Sequence, residues 1–235
     1  MTTIASNLQA VRLRIAEAAA QSGRASDSVG LLAVSKTWPC EAVREAAAAG
    51  QRGFGENYAQ EGVEKVAALR DLGLEWHFIG PLQSNKSRLV AEHFDWVHSI
   101  DRLKLAERLS AQRPEGLAPL SVCVQVNVSG EASKRGVAPE DAVELALAVS
   151  RLPRLRLRGL MCIPEPDGDV AVLRGRFAAL RLLRDALAAR GLVLDTLSMG
   201  MSDDLELAIA EGSTLVRVGS AIFGQRASRD TGETL

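Results

Sequence analysis

An apolar run followed by an amphipathic stretch recurs eight times along this chain, and that alternation restricts the fold more than any other feature of the sequence. The runs are GLLAVSK (30–36), RGFGE (52–56), EWHFIG (75–80), DWVHSI (95–100), LSVCVQVNV (120–128), LRLRGLMCI (155–163), LDTLSMG (194–200) and TLVRVG (214–219). Helical patterns such as AQEGVEKVAALRDL and VLRGRFAALRLLRDALAAR lie between them. Strands that alternate with helices build a parallel sheet, because a parallel pair needs a crossover long enough to hold a helix. Eight such units in about 200 to 250 residues predict an α/β fold, the (β/α)8 TIM-type barrel, with a doubly wound open sheet as the rival. Ile4, Leu8, Val11 and Ile15 recur at helical spacing before the first run, which reads as an extra N-terminal helix rather than a signal peptide. No Pro/Gly/Ser-rich linker breaks the alternation, so residues 1–226 read as one domain and 227–235 as a polar C-terminal tail.

Composition narrows the partners. With 28 basic and 29 acidic residues the formal charge is −1, a balance that does not draw a whole protein to nucleic acid or to an anionic membrane. Cys40, Cys123 and Cys162 are far apart and form no C-x-x-C, so neither a disulfide framework nor a metal site is expected. No window reaches the roughly 18 apolar residues of a membrane span. A cytoplasmic monomer is the expectation.

In a barrel, function gathers at the carboxyl ends of the strands. Lys36 ends the first run and shares side-chain parity with Leu32 and Val34, so it points into the barrel mouth if those two fill the interior. A desolvated lysine there is a nucleophilic amine suited to bonding an aldehyde, whereas the plainer reading is a lysine reaching from the rim into water. Ser202 stands after Gly200 where a helix is expected to begin, an arrangement that serves an anion or a simple N-cap. Asp203 and Asp204 beside it oppose a phosphate unless they splay outward. Gly219 and Ser220 follow the eighth run, where barrels commonly hold phosphate. Arg217 has the parity of Leu215 and is opposite to Val216 and Val218. Projecting inward it needs an acceptor, and projecting outward it is a helix-facing ion-pair partner.

The stretches AVSKTWP, GENYAQE, WHFIGPLQSNK, LRGLM, GMSDD and VRVGSAIFG resemble the pyridoxal phosphate homeostasis proteins of the YggS/PROSC family, from about residue 5 to residue 226. HFIGPLQSNK is the sharpest of these motifs. The family is similar in fold to the barrel domain of bacterial alanine racemase. The resemblance implies that Lys36 holds pyridoxal 5′-phosphate (PLP) as a Schiff base and that Ser202, Gly219 and Ser220 surround the phosphate. It implies further that Arg217 faces the pyridine nitrogen and that Asn57, in GENY, lines the same pocket. An arginine in that place keeps the ring nitrogen unprotonated, so the ring is a poor electron sink.

A racemase needs two bases on opposite sides of the cofactor. Lys36 is one candidate, but the second base of alanine racemase comes from an additional β domain with no counterpart in this sequence. The single tyrosine, Tyr58, is expected to pack on or cap a helix. His77 and His98, beside Trp76 and Trp96, are expected in satisfied core or rim roles, and His93 near a helix end. The first reading is therefore a non-catalytic holder that buffers PLP and delivers it to PLP-dependent apoenzymes. A PLP-dependent enzyme with Lys36 as sole base is the alternative, and a cofactor-free Schiff-base aldolase for a sugar phosphate is the third. Lys86 and Arg88 read as a solvated face or helix cap. The polar loop 127–137, with Lys134 and Arg135, reads as a surface loop that could close over the mouth.

Overall fold

The computed structural model describes residues 3–131 and 135–225. The eight apolar runs form eight parallel strands: β1 (Gly30–Val34), β2 (Gly53–Glu56), β3 (Glu75–Phe78), β4 (Trp96–Ile100), β5 (Leu120–Gln125), β6 (Leu155–Met161), β7 (Thr196–Ser198) and β8 (Leu215–Val218). They pair in sequence order, and β8 closes on β1. The register of that seam sets Gly30 against Leu215, Leu32 against Arg217 and Ala33 against Val218. A closed ring excludes the open-sheet rival. Six of the eight strands stop one to three residues short of the end of their apolar runs, where the chain turns into the loops at the mouth, while β2 and β4 reach the end of theirs.

The crossovers are α2 (Cys40–Ala48), α3 (Ala59–Ala68), α4 (Ser87–His93), α5 (Leu103–Gln112), α6 (Pro139–Val149), α7 (Val170–Ala188) and α8 (Leu205–Ala210). A four-residue helix, α9 (Ser220–Phe223), follows β8 and is too short to leave a periodic signal in the sequence. The extra N-terminal helix, α1 (Ile4–Gln21), starts from a capping box on Thr3 and Ser6. It buries Leu8, Val11, Ile15, Ala18 and Ala19 against the outside of the barrel. Polar groups then fasten it: Asn7 donates to Ile222 O at 2.9 Å, and Arg24 donates to Ile209 O at 3.0 Å and to Ser213 O at 2.7 Å. No helix among the described residues is long and apolar enough to cross a membrane.

Strand alternation divides the interior into two layers. Outward residues such as Ala33, Phe54, Val97, Val122, Val124, Val216 and Val218 join the helices in one continuous apolar core. Its helix side includes Phe177, Leu180 and Leu187 of α7, each fully buried and worth roughly 1.5–3 kcal/mol. The residues inside the ring are different. Trp96, Cys123 and Met161 form a small separate apolar cluster, and His77, His98, Gln125, Ser198 and Arg217 fill much of what remains.

Gly159 lies where β6 crosses closest to β7. A Cβ added there would fall inside the van der Waals contact of Thr196 O, a backbone atom that cannot rotate away. Gly159→Ala is expected to cost at least about 3 kcal/mol, read as a lower urea midpoint with an unchanged slope.

Candidate functional site

Closure of β8 on β1 brings five of the six sequence candidates to the wall of one cavity of about 260 Å³ at the barrel mouth: Lys36, Ser202, Arg217, Gly219 and Ser220, with Val34 beside them. Leu32, one turn of the pleat below, is fully buried inside the ring. The parity that aims Lys36 inward is thus realised. Asn57 does not line this cavity. It belongs to a neighbouring groove with Tyr58, Gln60, Phe78, Leu82 and Lys86, and its Oδ1 is buried without a hydrogen-bond partner among the described residues.

The segment that carries Lys36 is held by a charged cluster beneath it. Lys65, on α3 and buried, donates from Nζ to Ser35 O at 2.7 Å, to Glu56 Oε1 at 2.8 Å and to Glu61 Oε1 at 2.7 Å. Ser35 Oγ donates to the same Glu56 oxygen at 2.6 Å, and Thr37 N donates to Glu61 Oε1 at 2.5 Å. The residues on both sides of Lys36 are therefore fixed from α3. Thr37 has φ +69°, a left-handed conformation that costs a β-branched residue roughly 1–2 kcal/mol. The bond to Glu61 offsets that strain. Burial pushes the Glu56 carboxyl above its ordinary range, against the opposing attraction and hydrogen bond of Lys65 and the hydrogen bond from Ser35. Glu61 and Lys65 were not singled out from the sequence, and Glu56 stood out only as a polar residue at the carboxyl end of its strand. The available signal was a lysine at the buried phase of a helix, between Gly62 and Leu69.

The opposite wall comes from the last two β/α turns. Ser202 is not at a helix start, as the sequence suggested. Asp204 Oδ1 accepts from Met201 N at 2.5 Å and folds residues 201–204 into a turn, so α8 begins only at Leu205. Asp204 is spent inside that turn, while Asp203 is exposed on the cavity rim. Arg14 of α1 donates to Ser202 O at 3.0 Å and braces the turn from outside. Ser220 Oγ lies 3.4 Å from Ser202 Oγ, so the two hydroxyls face one region. A Cβ on Gly219 would meet Val34 O at 3.2 Å, which keeps this junction of β8 and β1 bare of side chain. Trp38 stacks on Phe223 with ring centroids 5.7 Å apart and flanks the same mouth.

Arg217 forms the floor. It is buried and points inward, which settles the parity question against the helix-facing reading. It donates to Ser198 O at 2.6 Å, to Ser198 Oγ at 2.8 Å and to Cys162 O at 2.9 Å. All three acceptors are neutral, and burial lowers the guanidinium pKa. Burial likewise pushes the Cys123 and Cys162 thiols up to about 12, which leaves both inert at neutral pH.

The other sequence candidates lie elsewhere. His77 and His98 are buried core residues hydrogen-bonded to each other, as expected. His93 ends α4, with Nδ1 bonded to Leu89 O at 2.9 Å. Tyr58 neither packs nor caps. Its backbone occupies the N-cap of α3, but its side chain makes no capping bond and the residue is 57% exposed on the groove. Lys86 lies on that groove, and Arg88 pairs with Glu92 at 3.6 Å on an exposed face. Of the loop 127–137, Lys134 lies outside the described residues. Arg135 is exposed, its carbonyl accepting from Gln125 Nε2 at 3.3 Å.

This geometry has named relatives. The profile of the family described as "Alanine racemase, N-terminal domain" matches residues 6–227. The Pyridoxal phosphate homeostasis protein of Pseudomonas aeruginosa is 65% identical over 226 residues, covering 96% of this chain and 97% of its own length. The Escherichia coli (strain K12) protein of the same name is 56% identical over 232 residues, covering 96% and 98%. The chain belongs to the pyridoxal phosphate homeostasis protein family. Among solved structures, PipY of Synechococcus elongatus, determined with PLP bound, superposes with a TM-score of 0.78 at 44% identity, covering 89% of this chain and 100% of that one. The resemblance of the family in its barrel to alanine racemase thus holds over nearly the whole length of this member.

Lys65→Ala leaves Glu56 buried without its cation, and is expected to destabilise the protein by about 3–5 kcal/mol in urea unfolding. Glu56 itself has a folded-state pKa raised above its unfolded value. Its contribution to stability is therefore fully present below the ordinary carboxyl range and is lost as pH rises through the folded value. The difference in unfolding free energy between wild type and Glu56→Gln should accordingly shrink as pH is raised from about 4 to about 8.

Proposed function

We propose that this protein binds PLP in the cavity at the barrel mouth and serves as an intracellular holder that buffers and delivers it, without catalytic turnover. The observation that carries the reading is the convergence of an amine, two hydroxyls, a bare glycine junction and a buried guanidinium on one cavity. That donor set fits the cofactor. PLP supplies an aldehyde that bonds amines and a ring that withdraws electrons. Lys36 is the residue that bonds the aldehyde. Ser202 and Ser220 donate to the phosphate, which approaches closely where Gly219 carries no side chain. Arg217 faces the ring nitrogen as a donor that cannot receive its proton, so the electron-withdrawing power of the ring is held down.

Asn57 reaches the ligand from the neighbouring groove, and its unpartnered Oδ1 supports that role. The absence of turnover rests on the placement of the bases. His77, His98 and His93 are committed to bonds away from the cavity, and Tyr58 lies on the other groove. Lys36 therefore has no histidine or tyrosine opposite it, and a proton removed from one face of a bound substrate has no such group to return it on the other. The recipients of PLP on this reading are PLP-dependent apoenzymes.

Borohydride reduction of the PLP-loaded protein followed by peptide mapping should place a stable pyridoxyl label on Lys36. Lys36→Ala should lose the visible absorption, and prolonged incubation with alanine or other amino acids should give no product. A label on another lysine, or sustained racemisation, decarboxylation or transamination, overturns the proposal.

A further inference from the structure

Below the cavity, a line of polar side chains crosses the barrel interior. Arg217 Nη1 is 2.8 Å from Ser198 Oγ, Ser198 Oγ is 2.9 Å from His98 Nδ1, His98 Nε2 is 2.9 Å from His77 Nδ1, and His77 Nε2 is 2.7 Å from Glu75 Oε1. These residues sit on β8, β7, β4 and β3. Ser198, His98 and His77 are buried, whereas the Glu75 side chain is 53% exposed at the amino end of its strand. It lies with Asp95, Trp96 and Arg158 in a surface pocket on the opposite face of the barrel from Lys36.

Elementary hydrogen-bond chemistry gives this line one direction. A guanidinium only donates, so the Ser198 oxygen accepts from Arg217 and its single proton is available for His98 Nδ1. At the far end a carboxylate only accepts, so His77 Nε2 carries a proton. With one proton on each imidazole, His77 receives at Nδ1 and His98 gives from Nε2. Every donor thus points away from Arg217 and every acceptor toward it. The surroundings agree. Burial holds His98 well below the ordinary imidazole range, and the bond from His77 holds the Glu75 carboxyl below its ordinary range.

We infer that Glu75 is the distant counter-ion of Arg217, linked to it by the relay Ser198–His98–His77, and that this relay is a positioning device that fixes the guanidinium from the opposite end of the barrel. It explains how a buried arginine whose direct acceptors are all neutral stays in one orientation. A polarised run of hydrogen bonds strengthens each member, and its terminal charge opposes that of the guanidinium. The relay does not depend on what the cavity holds, but its bearing on PLP rests on the function proposed above.

The test is made first on the PLP-free protein. The sequence has three histidines, so imidazole ¹⁵N spectra are readily assigned by single substitution. In the wild type, His77 and His98 should both be Nε2–H tautomers, and His93, which gives Nδ1–H to Leu89 O, the opposite one. Glu75→Ala leaves the buried His77 Nε2–H without its acceptor, so it should lower the unfolding midpoint while the protein stays folded, and convert both buried imidazoles to tautomer mixtures. Glu75→Gln, whose amide oxygen still accepts, should restore them. Titration with PLP should then show about tenfold weaker binding for Glu75→Ala and recovery in Glu75→Gln, the scale of one hydrogen bond. An Nδ1–H tautomer at His98 in the wild type, or tautomers indifferent to Glu75→Ala, overturns the relay. So does PLP binding that does not change when the tautomers do. Tautomers that behave as expected in a wild-type protein unable to bind PLP leave the relay standing and overturn the proposed function instead.

Discussion

Everything at the mouth depends on the parallel pairing of the first strand with the last. Lys36 and Arg217 are separated by most of the sequence, and only the β1–β8 seam makes them neighbours. Register matters as much as pairing. With Leu32 opposite Arg217, both side chains point into the ring, and the chain ends that follow, 35–37 and 219–220, emerge side by side. A slip of β8 by one residue would turn Arg217 toward the helices, and a slip of β1 would turn Lys36 into the apolar core, in either case a charge in an apolar layer. The cost of that error is what makes the register specific.

The two layers of the barrel serve different ends. The outer layer, between sheet and helices, is apolar and continuous, as expected for the part that holds the fold together. The inner layer gives up apolar packing for imidazoles, a serine, a glutamine and a guanidinium. Such a set is tolerable only when its members satisfy one another, since each buried polar group left alone costs about 1–3 kcal/mol. The pairing of His77 with His98, and of Ser198 with Arg217, meets that condition. Around Lys36 the same logic operates with full charges: Lys65 gathers two carboxylates and a carbonyl and so locks the residues on either side.

The barrel was legible because its signal is periodic and repeated eight times, and because strand parity is a strict geometric rule. Parity gave Lys36 its inward aim, whereas it left Arg217 open to either side until the ring was seen to close. Ser202 was misplaced relative to its helix because an Asp side chain bonding a backbone N–H three residues earlier can hold a turn as readily as it can start a helix. Tyr58 was expected to pack, since a lone aromatic in an apolar-rich chain usually does, yet it faces the solvent side of a groove. The Lys65 cluster and the Glu75 relay were illegible for a different reason. Each joins residues from separate strands and helices, so a spacing along one element, such as the buried phase of Lys65, shows only a part of it.

The first helix has a consequence for synthesis. Asn7 bonds to Ile222, Arg14 to Ser202 and Arg24 to Ser213, so each of these residues leaves the ribosome 188 to 215 residues ahead of its partner. Until then the first strand has an unpaired edge and the apolar stripe of α1 has nothing to cover it. The nascent ring therefore stays open until β8 has been made, the stage at which chaperone capture and aggregation compete.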